Sequence, residues 1–174
     1  GISTNSVLCL NQDAEGFIWL GTCEGLNIWD GQHMGCYPPA DSGMQPLSGN
    51  LIEKIHSTLD RYSWLRTNYG LDLMHHDQVI EQHKEFQGIY FLISRRKSET
   101  VVLTQGNTFY GYCEEDSSFR RIETLFPFDR YITSWAGVSD SVYIFRTDGI
   151  YRTNFAARKA GEPSRLGTLA VSYT

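Results

Sequence analysis

The sequence lacks the features that define several common classes of protein. Its 174 residues contain no run near the roughly 20 apolar residues that a membrane-spanning helix needs. Residues 1–10 have neither the basic start nor the apolar run of a signal peptide, so we interpret the chain as a mature or excised piece. Basic residues number 15 against 20 acidic ones, and the formal net charge of −5 disfavours nucleic acid as a partner.

Cysteine is scarce and has no metal-binding or redox spacing. The four residues, Cys9, Cys23, Cys36 and Cys113, form no C-x-x-C pair and have no histidine at a ligand spacing. Three disulfide pairings would be open to them in an oxidising compartment, but buried free thiols that act as small apolar side chains are favoured. We predict neither a metal site nor a cofactor.

Apolar and aromatic residues are plentiful, and part of the chain repeats with an offset of 45 residues. Hydrophobic residues make up 41% and aromatic residues 13%, which is enough for a folded core. Residues 3–28 and 48–73 share seven identities without a gap. The repeat motif consists of Trp19, Thr22, Gly25 and Leu26, matched by Trp64, Thr67, Gly70 and Leu71. Weaker copies around 101–110 and 142–151 have lost the tryptophan, and Tyr143 takes its position in the last copy when the glycines are aligned.

Each copy has the pattern of short strands joined by tight turns. In the first copy Asp13 and Gly16 suit the first and fourth positions of a type I turn, and Gly25 and Gly70 each indicate a tight turn. The predicted strands of this copy cover residues 7–12, 17–22, 26–29 and 33–37. In the second copy Arg61 stands in place of Gly16, so we expect that hairpin to close differently and to leave Arg61 and Tyr62 free for another role.

Four short antiparallel strands in each repeat of about 45 residues are the unit of a β-propeller. The predicted fold class is all-β, with about four four-stranded antiparallel blades in a partial propeller. The predicted blades cover residues 1–45, 46–86, 87–128 and 129–174, and the last span includes the start of a following strand. Their first strands are predicted near 6–11, 51–57, 88–94 and 131–136. The motif residues are interpreted as packing and turn residues rather than ligand contacts.

The first repeat resembles the two-component-regulator propeller repeat. The resemblance rests on NSV at 5–7, QDAEGFIWLGT at 12–22, EGLN at 24–27 and DG at 30–31, and it covers residues 3–37 and 46–76. It implies the periplasmic sensor region of a hybrid histidine kinase of Bacteroides-like bacteria, part of an inner-membrane protein. The implied function is a ligand-sensing or signal-relay module that responds to an oligosaccharide, and the implied partners are the remaining blades and the downstream sensor domain.

The chain carries no recognisable catalytic motif, so we predict that it is not itself an enzyme, although the full-length protein would be a histidine kinase. G-x-S-x-G, H-E-x-x-H and a kinase ATP lid are all missing from the sequence. Two alternatives stay open: a propeller lyase in which His56 would act, and a scaffold with no ligand site of its own.

Candidate ligand residues are aromatic, because sugars stack on aromatic platforms beside amides and carboxylates. The candidates are Tyr62, Tyr69, Trp135, Tyr131 and His56. The densest set of metal-ligand types is His75, His76, Asp77 and His83, but adjacent strand residues point to opposite faces, so these are expected to be solvated loop residues. The charge runs 95–97 and 114–116 are likewise expected to be solvated turns.

The chain is short for a closed propeller, since closed propellers typically have four to eight blades. Three arrangements are open: an excised arc, a closed four-blade ring, or two arcs that meet as a homodimer. We favour an excised arc ordered by self-association, because the outer faces and edges of terminal blades are aggregation liabilities unless covered.

Overall fold

The computed structural model describes residues 5–104, 108–122, 132–138, 141–154 and 164–167. Within these ranges the backbone forms four antiparallel sheets of four strands each and one short 3₁₀ helix, Lys97–Glu99. This architecture confirms the predicted all-β fold class. The chain divides into two compact units, Gly1–Ile89 and Tyr90–Thr174.

Unit one contains two sheets, and in both the strands are hydrogen-bonded in chain order. Sheet one consists of β1 (Val7–Gln12), β2 (Ile18–Thr22), β3 (Gly25–Trp29) and β4 (Met34–Tyr37). Sheet two consists of β5 (Ile52–Ser57), β6 (Tyr62–Thr67), β7 (Gly70–His75) and β8 (Gln78–His83). The strands of sheet one lie within one residue of those predicted from the first repeat.

The other two sheets follow the same strand order. Sheet three consists of β9 (Ile89–Ile93), β10 (Val101–Thr104), β11 (Phe109–Cys113) and β12 (Ser118–Ile122). Sheet four consists of β13 (Ile132–Val138), β14 (Ser141–Arg146), β15 (Gly149–Asn154) and β16 (Ser164–Gly167). The predicted blade limits in the connecting segments stay a prediction.

Sheets one, two and four share a register shift at the same place in their first strand. The shift lies between Val7 and Cys9, between Ile52 and Lys54, and between Ile132 and Ser134. In the same register Arg146 pairs with Gly149 as Thr22 pairs with Gly25. Arg146 therefore occupies the position of the repeat threonine, and Thr147 is a turn residue, which explains the shorter Thr-to-Gly interval of the last copy.

The first hairpins of sheets one and two close in the same way, so the expectation of a different closure was wrong. Asp13 N donates to Phe17 O at 3.0 Å, and Thr58 N donates to Tyr62 O at 2.8 Å. Arg61 adopts the left-handed conformation (φ +68°) that Gly16 adopts in sheet one (φ +92°). The hydroxyl of Thr58 accepts a hydrogen bond from Tyr62 N at 3.0 Å and so replaces one carboxylate oxygen of Asp13.

The second hairpins depend on the repeat threonines. Thr22 Oγ1 donates to Gly25 O at 2.8 Å and accepts from Glu24 N at 3.1 Å, and Thr67 makes the equivalent pair of bonds at 3.3 and 3.1 Å. Gly25 has a φ of +121°, as a tight turn requires. Gly70 does not have a left-handed φ, and glycine is needed there for space, because a Cβ atom would lie 2.9 Å from the carbonyl oxygen of His83.

The core of unit one lies between its two sheets. Sheet one contributes Trp19, Leu26 and Tyr37, and sheet two contributes Ile52, Ile55, Leu65, Met74 and Val79. At Gly21 the sheets approach so closely that a Cβ atom would overlap the side chains of Cys9 and Ile52. Close packing of this kind explains why the tryptophan and its flanking apolar residues recur in both repeats.

Unit two has its own core and its own ion pairs. Its buried side chains include Val102, Leu103, Phe109 and Tyr112. The basic and acidic runs are not merely solvated turns, because Arg95 Nη2 contacts Glu99 Oε1 at 2.6 Å and Lys97 Nζ lies 3.6 Å from Glu114 Oε1. The hydrogen bond from Arg95 is the main reason that the pKa of Glu99 is lowered.

Candidate functional site

The turns at one end of unit one enclose a half-open cavity of about 400 Å³. Sheet one supplies Phe17, Trp19 and Ile28 to its wall, and the β7–β8 turn of sheet two supplies His76 and Asp77. Its wall therefore combines residues from both repeats, at the end where the first hairpins turn.

Asp13 organises the near side of the cavity. Its Oδ1 atom accepts hydrogen bonds from the backbone N–H groups of Glu15 and Phe17, both at 2.9 Å. Its Oδ2 atom accepts a hydrogen bond from Trp19 Nε1 at 2.8 Å. One carboxylate thus closes the hairpin and fixes the indole that forms the core, which explains the Asp-x-x-Gly turn and the Trp occurring together.

Asp30 provides a second fixed carboxylate at the β3–β4 turn. Its Oδ1 atom accepts from His33 N at 2.6 Å and from Gln32 N at 2.8 Å. These backbone hydrogen bonds, that of His33 first, lower the pKa of Asp30. The carboxylate therefore stays ionised at neutral pH.

Two further contacts hold the sheets together around the cavity. The exposed Arg61 lies 3.4 Å from Glu15 across the two sheets, so it is not free as expected. Tyr37, which precedes a cis peptide bond to Pro38, donates from its hydroxyl to Gln45 O at 2.8 Å and accepts from Val79 N at 3.2 Å. The tyrosine hydroxyl is thereby engaged by the protein itself.

The paired histidines lie on the same side of sheet two, not on opposite sides as predicted. Tyr62 stacks on His75 with ring centroids 4.5 Å apart, and the His76 ring follows at 4.2 Å. The strand alternation ends here because His76 adopts a φ of +55° in the turn. His83 is instead buried and contacts Glu81 at 2.8 Å. Among the described residues no three His, Cys, Asp or Glu side chains come close enough to hold a metal ion.

The predicted ligand residues lie on several different strands and turns. Tyr62 is the first residue of β6, the exposed Tyr69 lies in the turn after this strand, and His56 lies on β5 opposite Trp64 in the register. Trp135 lies on β13, where its backbone pairs with Ile144 of β14. The side chain of Trp135 lies outside the described part of the structure, as does Tyr131. Sequence analysis missed the cavity because its far wall, His76 and Asp77, is distant in sequence from the other lining residues, although the turn residues Asp13 and Asp30 were visible signals.

The cysteines are free thiols, but only one of the four is fully buried. Cys113 is buried, and its hydrogen bond to Glu115 together with desolvation raises the pKa of its thiol. Cys9 and Cys23 are half-buried and Cys36 is exposed, so the expectation of buried thiols was wrong for these three. The Cys9 thiol donates to Ile52 O at 3.5 Å and so contributes to the contact between the sheets.

Four-stranded antiparallel sheets in chain order, packed through a tryptophan on the second strand as in unit one, are blades of a β-propeller. Residues 1–24 match the family model described as two component regulator propeller, which confirms the resemblance seen in the first repeat. No match was found among functionally curated proteins. Among the described residues no helix is long and apolar enough to cross a membrane.

Solved structures share the fold at low sequence identity. The extracellular domain of the hybrid two component system BT3049 from B. thetaiotaomicron has a TM-score of 0.61 and 18% identity, over 96% of this chain and 25% of that one. PorZ is a surface component of the type-IX secretion system of Porphyromonas gingivalis. It has a TM-score of 0.73 and 14% identity, and the match covers 97% of this chain and 23% of PorZ. Virginiamycin B lyase from Staphylococcus aureus has a TM-score of 0.65 and 11% identity, and the match covers 95% of this chain and 57% of the lyase. The chain thus spans about a quarter of the first two.

Proposed function

We propose that this chain is a blade-forming part of the periplasmic sensor region of a hybrid two-component system. In this function it senses an oligosaccharide or relays its binding toward a histidine kinase. The observation that carries the proposal is the family match over residues 1–24, which falls on a repeat that folds into a blade. The extracellular domain of BT3049 supports the same function through its fold.

The outer face of sheet one supports a larger assembly. Each residue on this face has a counterpart 45 positions later, on the face of sheet two that packs against sheet one. Leu10 is 66% exposed, whereas its counterpart Ile55 is 6% exposed. Trp29 is 41% exposed, whereas its counterpart Met74 is fully buried. The same positions are thus buried where a sheet bearing Trp19, Leu26 and Tyr37 covers them.

The partner proposed for this outer face is a further blade of the same protein, one that presents a similar Trp, Leu and Tyr face. Leu10→Lys tests the partner, with Ile55→Lys as the matched control. Leu10→Lys should leave the stability of this chain unchanged and lower that of the longer protein, whereas Ile55→Lys should destabilise both by about 3 kcal/mol. An unchanged stability of the longer protein with Leu10→Lys would contradict a covering blade.

The ligand proposal is tested by calorimetry with a panel of oligosaccharides on this chain and on a longer segment of the protein. Binding by both assigns a ligand contact to this chain, and Tyr62→Ala and Tyr69→Ala then test the two described aromatic candidates. Binding by the longer segment alone would assign this chain a scaffold function. Binding by neither would refute the oligosaccharide proposal.

A propeller lyase is the second candidate, favoured by the fold shared with virginiamycin B lyase. His56, half-buried on β5, is the residue that this alternative requires. His56→Ala should abolish turnover if the chain is a lyase. Unchanged ligand binding in His56→Ala, in a preparation without turnover, would remove this candidate. Light scattering tests the remaining partner, a homodimer, which a strictly monomeric stable solution would contradict.

A further inference from the structure

We propose that the cavity between sheets one and two binds a small organic cation, an ammonium group carried on an aromatic or aliphatic body. The shape of the cavity, its charge and the hydrogen-bonding groups of its wall all favour such a ligand.

The cavity has the size and wall of a small-molecule site. Its volume of about 400 Å³ falls in the range of ordinary ligand pockets, which are mostly apolar with a few placed polar groups. Phe17, Trp19 and Ile28 line it with apolar surface, and Trp19 is held in place by Asp13. A small aromatic or aliphatic body would bury its surface against this wall.

The charge of the wall selects a cation. Four carboxylates line the cavity, those of Asp13, Glu15, Asp30 and Asp77. Arg61 offsets one of them through its contact with Glu15 at 3.4 Å. The surplus of negative charge favours a positively charged ligand and disfavours an anion, because charge complementarity across a partly desolvated site governs which partner is accepted.

The hydrogen-bonding groups of the wall give the same selection independently. The indole N–H of Trp19 donates to Asp13, and the hydroxyl of Tyr37 donates to Gln45 O. These two donors are thus engaged within the protein, the His76 ring that also lines the wall packs against His75, and the exposed carboxylate of Asp77 offers acceptors. A ligand that supplies donors only, as an ammonium group does, matches this wall better than one that needs donors from it.

Gly35 gives a way to fill the cavity without disturbing the fold. It lies on β4 and lines the cavity, and a Cβ atom added there would meet only Ile28 O, at 3.9 Å. Gly35→Val therefore places a side chain in open space, and valine suits a strand. Asp77→Asn is the second variant, because it removes one charge from the exposed β7–β8 turn without changing the shape of the side chain.

The experiment titrates the ¹⁵N-labelled chain with benzylammonium and follows the Trp19 indole and Gly35 amide signals by NMR. Benzyl alcohol and phenylacetate are the neutral and anionic controls of the same shape. We expect saturable shifts of these signals with benzylammonium, and none with phenylacetate. Shifts of equal size with benzyl alcohol would overturn the proposal, since the charge would then have no effect, and so would the absence of saturable shifts with benzylammonium.

The variants then locate the site. Gly35→Val should abolish binding, and Asp77→Asn should weaken it about threefold, as expected for one partly exposed charge. Glu24→Gln, in the β2–β3 turn at the opposite end of β2, removes a charge far from the cavity and should bind as the unmodified chain does. Unchanged affinity in Gly35→Val or in Asp77→Asn would overturn the assignment. Asparagine has nearly the same shape as aspartate, so the affinity of Asp77→Asn tests the site even if Gly35→Val fails to fold.

Discussion

Replacing Asp72 with asparagine tests how the repeat accommodates a buried charge. Asp72 on β7 is fully buried, and its Oδ2 atom accepts a hydrogen bond from Ser48 N at 2.7 Å. Its Oδ1 atom has no hydrogen-bond partner. Desolvation raises the pKa of this carboxyl, although the hydrogen bond from Ser48 acts in the opposite direction. The first repeat has the neutral Asn27 at the same position, also fully buried.

The raised pKa fixes the direction of the pH dependence. A carboxyl group with a higher pKa in the folded state than in the unfolded state contributes stability below the unfolded pKa, about 4, and loses it as the pH rises through the folded pKa. At neutral pH the ionised Asp72 is therefore less favourable in the folded protein than in the unfolded chain. Asparagine removes the charge and keeps an oxygen atom that can accept from Ser48 N.

We expect Asp72→Asn to raise the free energy of unfolding at pH 7 by about 1 kcal/mol, because a neutral amide costs less to bury than a carboxylate. The gain should shrink as the pH falls toward 4. The assay is urea denaturation followed by tryptophan fluorescence at several pH values. The reverse substitution, Asn27→Asp, should lower stability by about 2 kcal/mol at pH 7. A loss of stability in Asp72→Asn, or a gain independent of pH, would refute the reasoning.

Three further predictions concern turns and the contact between sheets. Asp13→Ala removes the hydrogen bonds that hold the first turn and the Trp19 indole. Urea denaturation should therefore show a free energy of unfolding lower by about 2 kcal/mol, and Asp13→Asn should show a smaller decrease. Gly21→Ala forces a methyl group against Cys9 and should lower the free energy of unfolding by about 2 kcal/mol, while an unchanged midpoint would show that the sheets can separate. Arg61→Gly relieves a left-handed backbone and loses only an exposed ion pair, so thermal unfolding should show a gain of about 0.5 kcal/mol, and a clear loss would contradict this balance.

The fold was predictable because its signals are local. Strand alternation, Asp and Gly at turn positions, and the repeated tryptophan fixed the strands of sheet one to within one residue. In sheet four the strand register of the repeat is kept although the tryptophan is lost. Tyr143 pairs with Arg152 there, as Trp19 pairs with Ile28 in sheet one. Backbone pairing depends on turn lengths and the register shift, and both persist when side chains change.

The errors in the prediction came from side chains that replace one another. Thr58 closes its hairpin with a hydroxyl where Asp13 uses a carboxylate, and Arg61 adopts the conformation of Gly16. Both residues differ from their counterparts in the first repeat, although the backbone of the two hairpins closes in the same way. Asp13 and Asp30 could be recognised as turn residues, but the cavity itself could not be predicted, because Asp77 reaches its wall only where sheets one and two pack together.

Burial at a repeat position is set by the neighbouring sheet and not by the strand alone. Leu10 and Ile55 share a place in the register, opposite Leu20 and Leu65, yet one is exposed and the other buried. Trp135 pairs with Ile144 at that same place in sheet four. An apolar residue at this position in sheets one and two is therefore buried only where a neighbouring sheet covers it, and the exposure of Leu10 marks a face that no described sheet covers.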